Sequence, residues 1–135
     1  MNMTSKTAIT LLFAVLPWCA PARADELAGK SQYLKICSAC HQADGRGVPD
    51  AFPALAGNAF VQGDARSVAA VPLLGRGGMP NFSKRLDDAT LAAILSYVRS
   101  AWGNTASPIT AEQIAALRAE LHIDAADSAR PGNMH

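Results

Sequence analysis

Cys37-Ser38-Ala39-Cys40-His41 constrains this chain more than any other stretch, because residue types and spacing together demand one kind of cofactor. Two thiols three positions apart reach the two vinyl groups of a haem, and the adjacent imidazole can swing beneath the iron. This is the c-type haem attachment pattern. On that reading Cys37 and Cys40 carry the thioethers of one covalently attached haem c, and His41 supplies one ring nitrogen to the iron. Its other ring nitrogen then needs a partner.

Three other uses of the cysteines compete. A redox-active dithiol of thioredoxin type follows a strand in a βαβ pattern, and no such pattern is visible. A structural zinc needs four ligands, yet outside this cluster the only histidines are His122 and His135, both near the end of the chain. A simple Cys37–Cys40 disulfide is the third. The histidine directly after the second cysteine, together with a signal for export, favours haem.

That signal is Met1-Asn2-Met3-Thr4-Ser5-Lys6, an apolar run from Ala8 to Leu16, and the small-residue site Ala22-Arg23-Ala24. Residues 1–24 are therefore expected to be a secretory signal peptide cleaved after Ala24. The apolar run is shorter than the ~20 residues a membrane-spanning helix needs. Trp18 before Cys19 does not resemble the small residue of a lipoprotein site. Cleavage removes two of the twelve basic residues, Lys6 and Arg23, and none of the eleven acidic ones, leaving a net charge of −1. That balance argues against nucleic acid as a partner, and allows peripheral membrane association at most. Residues 25–135 make one small domain, with no internal repeat and no disulfide framework. A covalently held haem would act as a staple for a core of this size.

A first helix is expected from about Leu27 into Cys37, with Leu27, Tyr33 and Leu34 at helical intervals and acidic residues at its front. Gly29 and Tyr33 share a face, where the glycine would let another helix come close. After His41 the chain is rich in Gly, Pro, Asp and Asn as far as Asn58, which reads as a loop. Its apolar members Val48, Phe52 and Leu55 would lie against the proximal face of the haem. Pro53 is placed to offer its carbonyl to the free ring nitrogen of His41. A short helix is expected over Ser67–Leu74, weakened by Pro72. A stronger one is expected from Asp88 to Trp102, with Asp87 as N-cap, Gly103-Asn104 as its stop, and Leu91, Ile94, Leu95, Val98 and Trp102 as its apolar stripe. Arg99 is expected to be solvated or to meet a haem propionate. Thr110-Ala111-Glu112-Gln113 forms a capping box for a last helix to Leu121, expected on the outside of the domain. The polar tail over 122–135 is expected to be disordered.

Between the two middle helices, Gly75-Arg76-Gly77-Gly78-Met79-Pro80 breaks regular structure. Met1 and Met3 leave with the signal and Met134 is the penultimate residue, so Met79 is the one methionine held in a defined place. A methionine on a glycine-rich loop has no helical face to fill, and its sulfur is the candidate sixth ligand, with water or His122 as competitors.

These segments resemble the class I c-type cytochromes, in particular the single haem domains in cytochrome c subunits of bacterial alcohol and related periplasmic dehydrogenases. The resemblance is carried by Tyr33, by Cys37 to Pro49, by Phe52-Pro53-Ala54-Leu55-Ala56-Gly57-Asn58, by Gly78-Met79-Pro80-Asn81-Phe82, and by Tyr97 to Asn104. It implies a small all-α cytochrome c fold around one haem over residues 25–121, with terminal helices crossing beside the haem edge. It also implies His41 and Met79 as axial ligands and Cys37 and Cys40 as attachment points. Those subunits carry several haem domains where this chain has one, and the segment from Asn58 to Gly78 is short, leaving less protein over one side of the haem.

With both axial positions filled, iron has no site for substrate. The expected role is that of an electron-transfer protein or non-catalytic dehydrogenase subunit in the periplasm. Electrons would arrive from a dehydrogenase or its cytochrome and leave to an oxidase or another cytochrome. The alternative is a haem enzyme or ligand sensor with a labile sixth ligand.

Overall fold

The computed structural model describes residues 22–123. Six helices follow in order: α1 Ala22–Ile36, α2 Ser38–His41, α3 Ala59–Gln62, α4 Ala65–Leu74, α5 Asp88–Ser100 and α6 Ala111–Glu120. There are no strands among the described residues, only isolated bridges between Val48 and Phe52 and between Arg76 and Met79. The expected all-α class is thus observed. The leader expected over residues 1–24 and the tail expected over 122–135 fall almost wholly outside the described residues.

The central contact is α1 against α5. Gly29 makes it possible: a Cβ there would fall on the Ala93 carbonyl oxygen and lie 3.0 Å from the Tyr97 Cβ. Without one, the two backbones touch, and Tyr33 sinks fully out of solvent beside Tyr97 and Trp102. The three rings stack at tilted or edge-on angles with centroids 5.1–5.6 Å apart, arrangements that satisfy the quadrupoles of aromatic rings. Leu91, Ile94, Leu95 and Val98 complete the buried face of α5.

Several expectations need correction. The first helix begins at Ala22 rather than Leu27, and Leu27 and Leu34 lie on its exposed side, so its buried face is carried by Gly29 and Tyr33. Helix α5 ends at Ser100, two residues before Trp102. There Ala101 turns to extended backbone, and the Asn104 side chain and the Ala106 amide take the carbonyls of Val98 and Arg99 at 2.8 and 3.0 Å. Trp102 follows at φ 54° and so reaches Tyr33 from beyond the helix. Helix α4 starts at Ala65, capped by Asp64, whose side chain accepts from the Ser67 amide. It keeps Pro72 in its last turn, where only one helical bond is forfeited. The Pro72 carbonyl accepts from the Phe82 amide at 2.7 Å.

Helix α6 has both halves of the expected capping box, but it does not merely cover the outside. Ile114 is fully buried, and Leu117 and Arg118 are nearly so, packed against α5 and α4. Arg99 is likewise neither solvated nor free for a propionate. It is 4% exposed and donates to the carbonyls of Val61, Gly63 and Ser107 at 2.7, 3.0 and 2.8 Å. These carbonyls belong to irregular or helix-end backbone with spare acceptors, and burying them next to an arginine satisfies both sides.

Candidate functional site

Helix α1 runs almost directly into α2, since the Cys37 amide still bonds the Tyr33 carbonyl at 2.8 Å. The single turn that follows brings Cys37, Cys40 and His41 onto one short piece of backbone, closed by His41 N to Cys37 O at 3.0 Å. Both cysteines are half-buried and are not joined to each other. Burial, with a smaller contribution from Cys40 beside it, pushes the Cys37 thiol up to about 11, so it stays protonated at neutral pH. The Tyr33 hydroxyl donates to the Gln42 carbonyl at 2.6 Å, which fastens the backbone just after His41 to the α1–α5 contact.

The loop from Gln42 to Asn58 is ordered by its own hydrogen bonds. Val48 and Phe52 exchange amide and carbonyl bonds, both 2.8 Å, and the Gly45 carbonyl accepts from Leu55 and Ala56 at 2.7 and 3.0 Å. This folding brings the Pro53 carbonyl 2.9 Å from His41 Nδ1. A carbonyl can only accept, so Nδ1 carries the proton and Nε2 is left with its lone pair. Nε2 has no hydrogen-bond partner among the described residues and is not sealed inside protein.

Met79 sits on a loop shaped by its bridge with Arg76, with amide-to-carbonyl distances of 3.1 and 2.9 Å. The loop leaves α4 through Gly75 at φ +79°, where a Cβ would also press on the Met79 carbonyl oxygen at 2.9 Å. Met79 itself is half-buried, packed against the edge of the hydrophobic core. Val48 and Phe52, expected to lie against the proximal face of the haem, are more than a third exposed on the protein surface, as is Phe60, while Leu74 is 56% exposed. Large apolar groups are thus uncovered in the segments that follow His41 and precede Met79. A flat apolar macrocycle fits such a lining, and an imidazole and a thioether fit its iron. No group of three or more His, Cys, Asp or Glu that could hold a metal ion occurs among the described residues.

Sequence reading missed Arg118. The residue is 2% exposed, and its guanidinium holds the Ser83 carbonyl, the Leu86 carbonyl and the Asp88 carboxylate, each at 2.6 Å. Its signal was weak, an arginine following Leu117 on an amphipathic helix.

A small helical domain that carries Cys37-x-x-Cys40-His41 in one turn has the attachment motif of a c-type cytochrome. Residues 24–98 match the family model described as cytochrome C oxidase, cbb3-type, subunit III. The chain is 33% identical over 131 residues to cytochrome c-552 of Thermus thermophilus, covering 82% of this chain and 85% of that one. It is 36% identical over 104 residues to the cytochrome c subunit of a quinone-dependent alcohol dehydrogenase of Gluconobacter oxydans, covering 67% of this chain. It is also 29% identical over 115 residues to a gluconate 2-dehydrogenase cytochrome c subunit of Pantoea cypripedii, covering 75% of this chain. The chain spans only 22% and 26% of the length of these two dehydrogenase subunits. It belongs to the class I c-type cytochromes, haem proteins that transfer electrons.

Proposed function

We propose that this chain is an exported, periplasmic monohaem cytochrome c that passes single electrons from a dehydrogenase, or the cytochrome of one, to an oxidase or another cytochrome. The observation that carries the reading is the pairing of His41 Nδ1 with the Pro53 carbonyl directly beside the two thiols. It fixes the ring tautomer and keeps Nε2 available as the proximal ligand. Cys37 and Cys40 supply the thioether sulfurs, and the Met79 thioether supplies the sixth ligand. The haem, when bound, contributes reversible one-electron exchange at iron, which a methionine ligand biases toward the reduced form.

The protein's own groups do the rest. Val48, Phe52 and Leu74 keep water from the ring, and Pro53 makes the histidine a stronger donor. Residues 75–86, around Met79, carry Arg76, Lys84 and Arg85 with no acidic residue, so this stretch is locally basic although the mature chain is not. An acidic partner is steered to that side. The relatives named as dehydrogenase cytochrome subunits, and a cbb3-type oxidase subunit of Azospirillum brasilense that is 37% identical over 82 residues, support donor and acceptor of these kinds.

The test is the visible spectrum of the mature protein in both redox states. A low-spin c-type spectrum with a far-red methionine-to-iron band, absent in Met79→Ala, supports the carrier. A high-spin spectrum that shifts with added ligand replaces it with an enzyme or sensor. A colourless protein from a host able to attach haem overturns the haem reading.

A further inference from the structure

Loop 75–82, which bears Met79, has one anchor on each side. Upstream it is the end of α4, where the Gly75 amide bonds the Val71 carbonyl at 2.7 Å. Downstream it is a turn in which the amides of Arg85 and Leu86 bond the Phe82 carbonyl at 2.9 and 3.0 Å, with Phe82 buried. The Arg118 guanidinium reaches across from α6 and spends its donors on this turn and its exit: Nη1 on Ser83, Nη2 on Leu86 and Nε on Asp88 in the first turn of α5. Glu120, two residues further along α6, is paired with Arg66 near the start of α4. Helix α6 therefore ties together both elements from which the methionine loop is hung.

A buried ion pair is a poor device for stability alone, since apolar side chains of the same volume often do as well. What a planar guanidinium adds is direction: three acceptors from separate backbone positions are held at fixed angles. We propose that Arg118 is a positioning residue for the sixth ligand. By locking the turn four residues after Met79, it keeps the methionine sulfur at the iron and so sets how readily an external ligand displaces it. Arg118 lies beyond residues 24–98, the segment matched by the family model. The proposal rests on Met79 being the ligand.

The experiment uses the haem-loaded protein and imidazole as the probe. Arg118→Gln is expected to weaken the methionine-to-iron band and to raise the affinity of the oxidised protein for imidazole by about tenfold or more, the scale of losing charge-assisted hydrogen bonds. Arg118→Lys recovers part of the band. Leu117→Ala loosens α6 but keeps the guanidinium, and is expected to lower the unfolding midpoint while leaving imidazole affinity within about twofold. Equal gains in imidazole affinity in Arg118→Gln and Leu117→Ala, or none in the former, overturn the positioning role. If Arg118→Gln does not fold, Asp88→Asn, which removes only the anionic acceptor, is read by the same criteria. A wild-type protein without a band that Met79→Ala abolishes overturns the ligand assignment first, and the proposal with it, before any Arg118 variant is compared.

Discussion

The side-chain amide of Asn104 donates to the carbonyl of Leu55 at 3.0 Å, joining the end of α5 to the loop that presents Pro53 to His41. The same residue donates to the Val98 carbonyl at 2.8 Å and accepts from the Gly57 amide at 2.9 Å. One buried side chain thus closes α5 and pins the proximal loop, so the position of the His41 ring depends on a residue far from it in sequence. Asn104→Ala strips the buried Val98 carbonyl of its donor and removes the ties to Gly57 and to Leu55, whose carbonyl keeps only the longer bond from the Asn58 amide. The expected cost is about 2–4 kcal/mol in denaturant unfolding. A loss below ~0.5 kcal/mol would show that water replaces the amide without penalty.

Gly29→Ala separates helix propensity from packing. Alanine is the better helix former by up to ~1 kcal/mol. Here its Cβ meets the Ala93 carbonyl oxygen, a backbone atom that cannot swing aside. Overpacking of this kind costs ~1–3 kcal/mol or more. A net loss of roughly 2 kcal/mol is expected, seen as a lower thermal midpoint. An equally stable variant would mean that α1 and α5 part without cost.

Arg99→Met tests whether that guanidinium serves the fold or the cofactor. The substitution strands the carbonyls of Val61, Gly63 and Ser107, and a loss of about 2–4 kcal/mol is expected. The reduction potential and its dependence on pH should stay as in the wild type, because the guanidinium is spent on backbone. A changed pH dependence of the potential would restore the propionate partner.

Burial holds the Tyr33 hydroxyl well above the ordinary tyrosine range, and burial shifts Tyr97 in the same direction. The folded protein therefore binds these protons more tightly than the unfolded chain. The resulting stability is complete below the unfolded value of ~10 and is lost as pH rises past it toward the folded value. Tyrosinate absorbance should appear late in an alkaline titration, together with loss of near-ultraviolet circular dichroism. Tyr33→Phe gives up the bond to Gln42 and is expected to be ~1 kcal/mol less stable at neutral pH, a gap that narrows above pH ~10. A fold that stays intact while both tyrosines ionise at the ordinary value would contradict this.

Met79→Ala removes the soft sulfur ligand from the proposed haem iron. The reduction potential is expected to fall, and the oxidised protein to bind imidazole tightly, since loop 75–82 offers no other soft donor. His122 lies just past the end of α6 at φ 54°. A spectrum of two histidine ligands in Met79→Ala, lost again in the double variant with His122→Ala, would identify His122 as a second-choice ligand.

What the sequence determined by itself was local. Cysteine spacing, the capping residues Asp87 and Thr110, the apolar stripe of α5 and the close-packing glycine at position 29 are set by residues within one or two helical turns of each other. The His41–Pro53 bond was legible as well, because a Gly- and Pro-rich loop directly after the histidine forms no regular ladder that would consume its carbonyls. What only the tertiary structure decided was where unpaired backbone came to rest. Arg99, expected in solvent or at a propionate, and Arg118, for which the sequence carries no expectation, are both buried, and α6, expected to cover the outside, holds the core and the turn after Met79. The reason is physical: the carbonyls these side chains satisfy come from loops and helix ends distant in the chain, and no periodicity within a segment records a demand that arises only when those segments meet.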